Sequence, residues 1–190
     1  MSYYYIVASL PTLVLGEPPP YSGEEMLRLV ANVLEAGDLA ELALVLEGRE
    51  AEGCSAFARE WVGIEAQIRN AIVRERAAKL SIEARPHLRE HPGYDVCIEK
   101  AVADAYAKPN PLERELSLDR LRWKQLEDRV MHEPFSLAAV LAFAVRLRIV
   151  SRWAALEEQA GRAKLDELLK AHETKEAAEG DRAAEQKTTT

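Results

Sequence analysis

The sequence predicts an all-α protein: an irregular helical bundle of short helices followed by one long C-terminal helix, with a short extended N-terminal segment. Three observations carry that prediction. Ala, Leu, Glu and Arg dominate the composition, and all four are strong helix formers. Apolar residues recur at intervals of three and four along most of the chain, as on the buried face of a helix. Capping residues, Gly and Pro punctuate those runs, with nine glycines and nine prolines among 190 residues. Length and pattern together give one helical domain over residues 1–172 and a disordered polar tail over residues 173–190, where almost nothing can be buried.

Tyr3-Tyr4-Tyr5-Ile6-Val7 is aromatic and β-branched, which predicts extended backbone. No second strand pattern lies nearby, so the segment is read as an apolar strip laid across helices, with a short helix as the alternative. Gly16 to Pro20 then makes a stiff turn. Ser22 and Glu25 form a capping box ahead of Met26, Leu29, Val30, Val33 and Leu34, and Gly37 is expected to end that helix. Asp38 and Glu41 repeat the box ahead of a second short helix that stops at Gly48.

Ser55 opens a longer helix. Its residues Phe57, Trp61, Ile64, Ile68 and Ile72 fall within about an 80° arc at 100° per residue, and it is expected to end near Arg85, before Pro86. A loop over 86–94 leads to a helix carrying Val96, Ile98, Ala101, Val102 and Ala105. Another follows from Leu112 to Val130, with a break placed near Ser117. Ser136 caps the last and longest element, which is expected to run to about His172, weakened at Gly161. Its first half, Leu137 to Val150, is apolar on nearly every face and should lie deep.

The net charge of −7 is unevenly spread. Residues 1–68 hold 3 basic and 11 acidic side chains, residues 69–153 hold 16 and 12, and residues 154–190 hold 6 and 9. A basic excess of four over the middle segment is too diffuse for phosphate neutralisation, so no nucleic-acid partner is expected. The acidic first third instead suits a basic partner surface. Cys54 and Cys97 stand in no metal-ligand spacing and are read as free cytosolic thiols. The apolar stretch from Tyr3 to Leu15 lacks a positive start and is too short to span a bilayer, so no direct membrane insertion is expected.

One catalytic pattern occurs. His87-Leu88-Arg89-Glu90-His91 matches H-x-x-E-H, which on a helix sets two histidines on a zinc ion and a glutamate on its bound water. Glu157, Glu158 or Glu167 could nominally supply a third ligand. Pro86 and Pro92-Gly93 leave room for barely one helical turn, so His87, Glu90 and His91 are read as loop residues. Asp128 and His132 are read as helix-end electrostatics, and Trp61, Trp123 and Trp153 as core or interface anchors. No catalytic residue, metal ligand or cofactor site is assigned.

Two stretches carry a resemblance. Met1 to Pro11 continues into Leu15-Gly16-Glu17-Pro18-Pro19-Pro20, and His132 to Leu137 is followed by Leu147-Arg148-Ile149-Val150-Ser151-Arg152-Trp153. Together they resemble a family of uncharacterised bacterial proteins encoded within V-type ATPase operons, over most of residues 1–170. More distantly, the aromatic start, the short helices and the long late helix look like part of the d-type stalk subunit of archaeal and vacuolar-type ATPases. That subunit is an all-helical socket between central stalk and rotor ring, and this chain is too short to repeat all of its helical units.

The resemblance implies a non-catalytic subunit or assembly factor of a rotary ATPase, with V-type ATPase subunits as partners and no cofactor. It implies a cytoplasmic protein, peripheral to the inner membrane through that complex. Tyr3, Tyr4, Tyr5 and Trp153 are the candidate partner-facing residues. The alternatives are an independent helical adaptor, forming a homodimer around Trp153, and a zinc metallohydrolase using His87, Glu90 and His91.

Overall fold

A computed structural model of the chain describes residues 3–156 and Gly161. Among the described residues there are seven α-helices and no strand: α1 (Tyr4–Ser9), α2 (Gly23–Val30), α3 (Ala36–Glu47), α4 (Ala56–Leu80), α5 (Val96–Tyr106), α6 (Pro111–Val130) and α7 (Leu137–Ala154). Single 3₁₀ turns follow α3 at Glu50–Glu52 and α4 at Arg85–His87. The all-α bundle is as expected, and several local readings need correction.

The first of these is α1, expected as an extended strip. Tyr, Ile and Val favour strands, but Tyr3, Ile6, Val7 and Leu10 are spaced for one helical face, and that face packs into the core. Burial at about 1.5–3 kcal/mol per large apolar side chain outweighs propensities of a few tenths. Leu10 leaves the helix at φ −68° and ψ 133°, the conformation imposed by Pro11.

The Ser22–Glu25 capping box forms as read, with both reciprocal hydrogen bonds in place. Yet α2 ends at Val30, and Gly37 lies inside the first turn of α3. The second box does not form. Asp38 accepts the Tyr3 hydroxyl at 2.6 Å, and the buried Glu41 accepts the backbone N–H groups of Ser55 at 2.6 Å and Cys54 at 3.2 Å. Glu41 therefore caps the start of α4 from a different element, where the helix dipole favours a carboxylate. Gly48 closes α3 in the left-handed region at φ 79°, beside the Arg148 guanidinium.

Ser55 caps α4 as expected, its hydroxyl accepting the Ala58 N–H at 3.0 Å. The helix stops at Leu80 rather than Arg85, where Ser81 turns to φ 55° and Leu80 and Ile82 are exposed. In α6 no break occurs at Ser117, whose hydroxyl donates to the Glu113 carbonyl one turn back. Ser136 caps α7, but α7 ends at Ala154 and α4, with 25 residues, is longer. Ala154, Ala155 and Leu156 are exposed where α7 ends, and Gly161 is again helical. The expectations for Leu165, Leu168, His172 and the 173–190 tail lie outside the described residues.

Ten of the eighteen residues of α7 are buried, which makes it the axis of a first core against α1, α2, α3 and the end of α6. A second core gathers Ile68 of α4, Ile98 and Val102 of α5, and Leu118 of α6. Ile64 of α4 packs against both. The α4–α5 connection is gripped by two buried amides. Asn70 exchanges hydrogen bonds with the N–H and C=O of Arg89, and Gln67 does the same with Asp95. Pro92 sits against Gly63, where a Cβ would approach its ring at 3.3 Å.

Burial opposes ionisation of Glu41, but hydrogen bonds from Ser55 and Cys54 and the nearby Arg59 charge prevail, holding it below the ordinary 4.5. A carboxylate with a lowered folded pKa stabilises above its unfolded value and ceases to do so as pH falls through the folded one. Glu41→Gln is expected to cost about 1–2 kcal/mol at pH 7. That gap should close on acidification in urea melts recorded at stepped pH.

Candidate functional site

Two features of the surface stand out: a charged cleft at the seam between the two cores, and an aromatic face formed by α1 and the α6–α7 connection. The cleft encloses about 620 Å³ and is lined by Trp61, Val145 and Ile149 together with arginines and carboxylates. Its centre is Asp119 of α6, which is 1% exposed. Asp119 accepts from Arg122 at 3.1 Å, from the Trp153 indole N–H at 2.6 Å and from Arg152. Arg122 also bonds Glu65 of α4 at 2.6 Å. Burial disfavours the Arg122 charge, but Glu65 and Asp119 outweigh it and hold its pKa above the usual value. Arg148 reaches across to the Val45 carbonyl at 2.5 Å and to Glu50, tying α7 to the end of α3.

These pairs orient helices. Asp119, Glu65 and Glu50 each accept from an arginine, Glu90 and Glu115 also border the cleft, and among the described residues its lining contains no Ser, Thr, Cys, His or Lys. The only visible hint in the sequence is the i,i+3 spacing of Asp119 and Arg122. Arg152 and Trp153 lie 33 and 34 residues further on.

The His87–His91 segment is not a helix. His87 ends a 3₁₀ turn, and Leu88 is extended at φ −79° and ψ 145°. His87 and Glu90 are exposed, and His91 is half-buried with an unpartnered Nδ1. Among the described residues no three His, Cys, Asp or Glu side chains are grouped to hold a metal ion. Glu157, Glu158 and Glu167 lie outside the described residues. Cys54 and Cys97 are both exposed free thiols, and Asp128 and His132 are exposed at the end of α6.

The four candidate partner-facing residues divide. Tyr3 is half-buried, and its hydrogen bond to Asp38, its burial and the charges of Asp38 and Glu35 push its hydroxyl up to about 12. Trp153 is half-buried and committed to Asp119. Tyr4 and Tyr5 point outward, 59% and 72% exposed, and the Tyr4 ring lies 4.6 Å from that of Phe135. Phe135 and Met131 of the α6–α7 connection are also exposed, and no periodic pattern in the sequence marks them. Of the other tryptophans, Trp61 is buried in the first core, while Trp123 is half-buried beneath the Arg146 guanidinium.

A family model described as a protein of unknown function (DUF2764) matches residues 99–175. That span takes in most of α5 and all of α6 and α7, including Asp119, Phe135 and Trp153. No curated protein and no solved structure matches the chain.

Truncating Asp119 leaves the Trp153 N–H without its acceptor and Arg122 with Glu65 alone. Asp119→Ala is expected to cost about 2–3 kcal/mol, chiefly from the unsatisfied indole N–H and the halved pairing of Arg122. Tyr5→Ala, on the outer face, should stay within about 0.5 kcal/mol of the parent. Urea denaturation of both variants, followed by tryptophan fluorescence, checks this contrast.

Proposed function

We propose that the chain is a non-catalytic subunit or assembly factor of a bacterial V-type rotary ATPase, acting at the stalk through helix-mediated protein contacts. What supports this reading is the placement of the two stretches that resemble the operon-encoded family. The segment ending at Pro20 and the segment beginning at His132 are far apart in sequence, yet α1 packs on α7 and Tyr4 stacks against Phe135. The outward side of that junction is aromatic and uncovered. Interfaces concentrate their binding energy in residues of this kind.

Among the described residues no helix is long and apolar enough to cross a membrane. In this reading the protein reaches the membrane only through other subunits. The expected outcome is that tagged protein, purified from its native cell, brings down other V-type ATPase subunits and associates with membranes only while they are present. Recovery without any of them would overturn the proposal.

A further inference from the structure

One end of the second core gathers four positive charges. Arg76 and Lys79 come from the last turns of α4, Lys108 from just past α5, and Arg114 from the start of α6. Tyr106, 5% exposed, stands among them. Arg76 Nε donates to the Tyr106 hydroxyl at 2.9 Å, and Lys79 Nζ donates to its carbonyl at 3.0 Å. Lys79 Nζ lies 5.1 Å from the centre of the Tyr106 ring, and the Arg114 guanidinium carbon lies 4.7 Å from it. Arg114 also donates to the Lys108 carbonyl at 3.2 Å, and Lys108 Nζ donates to the Ser117 hydroxyl at 2.6 Å.

Every acceptor in this cluster is neutral. Glu75, Glu83, Asp104 and Glu113 stand one to four residues away in sequence. Yet among the described residues no carboxylate comes within salt-bridge reach of any of the four cations. Arg74, two residues before Arg76, does pair, with Glu99 at 2.6 Å. Helix ends do not make up the deficit. The C-termini of α4 and α5 together offer roughly one negative charge, and the N-terminus of α6 roughly half a positive one. Arg114 is held near that N-terminus, where the dipole disfavours a cation, and its Nε is enclosed without an acceptor. Like charges gathered this closely repel unless an anion joins them.

We propose that this cluster binds a phosphate group, held by Arg76, Lys79, Lys108 and Arg114. The site goes beyond the rotary-ATPase reading and does not rest on it. Phosphate suits the donors: a monoester carries about −1.5 to −2 at neutral pH and three acceptor oxygens, and guanidinium forks match its geometry. Among the described residues both Nη atoms of Arg76 and Nη1 of Arg114 are uncommitted. Arg76 and Lys79 are exposed, and Lys108 and Arg114 are half-buried, so the group enters from solvent. A carboxylate brings less charge and fewer oxygens to donors that arrive from three elements. The phosphate can be carried by a soluble ester or by a lipid headgroup, and the chemistry at the cluster is the same.

The test melts the full chain at fixed ionic strength while inorganic phosphate replaces chloride. The melting temperature should rise, by about 3–6 °C at a tenfold excess over Kd. Arg76→Gln with Arg114→Gln keeps donors for Tyr106 and Lys108 and should raise Kd at least tenfold. Lys79→Gln with Lys108→Gln, a second and independent pair, should raise it severalfold. Arg28→Gln with Arg49→Gln removes the same charge from exposed positions on the first core and should leave Kd unchanged. No rise in the parent, a rise that persists undiminished in both site variants as general salting-out, or an equal loss in the control pair would each overturn the proposal. Sedimentation with phosphatidylcholine vesicles containing phosphatidic acid separates the two sources. Sedimentation that is lost with Arg76→Gln and Arg114→Gln supports the site with a lipid headgroup. A phosphate response without sedimentation supports it with a soluble ester.

Discussion

A carboxylate withdrawn from water must be answered by donors in a fixed arrangement, and the closing of α6 on α7 depends on how Asp119 meets that demand. One donor comes from its own helix through Arg122, and two come from α7 through Arg152 and the Trp153 indole. Arg122 passes the constraint on to Glu65 of α4. A single buried charge thus sets how three helices are rotated about their axes. An apolar side chain of similar volume could fill the space, but it would not distinguish one rotation from its neighbours. The first core needs that registry because α7 is buried on most faces and its own apolar pattern tolerates several rotations.

Local signals in the sequence were legible where the partner is local. Ser22, Ser55 and Ser136 cap helices because the amides that they satisfy lie three residues ahead. Asp38 and Glu41 present the same local pattern, but they are used by Tyr3 and Ser55, 35 and 14 residues away. No short window contains that information. The tyrosine segment misled for the opposite reason: its composition speaks for a strand, while the spacing of Tyr3, Ile6, Val7 and Leu10 speaks for a helix, and the core decides.

The aromatic face was legible in part. That the opening segment holds aromatic residues suited to contact follows from composition alone. Which of the three tyrosines turns outward depends on the angle at which α1 lands on α7, and that angle is fixed by Ile6 and by the Tyr3–Asp38 hydrogen bond. Phe135 entered the face only because the α6–α7 connection folds back beneath Tyr4. Trp153 had the opposite fate, since its indole N–H is occupied by the buried carboxylate and its role is to hold rather than to present.

The α4–α5 connection is secured in an unusual division of labour. Gln67 and Asn70 hold it by main-chain atoms at Asp95 and Arg89, and Pro92 rests on a glycine. His87, Glu90 and Tyr94 are exposed and contribute nothing to that grip. The path of the loop is therefore independent of what those side chains are. Glu90 also borders the charged cleft. Positions of this sort can exchange their chemistry while the scaffold stays put, and they form a short stretch on which a new recognition surface could be written without refolding α4.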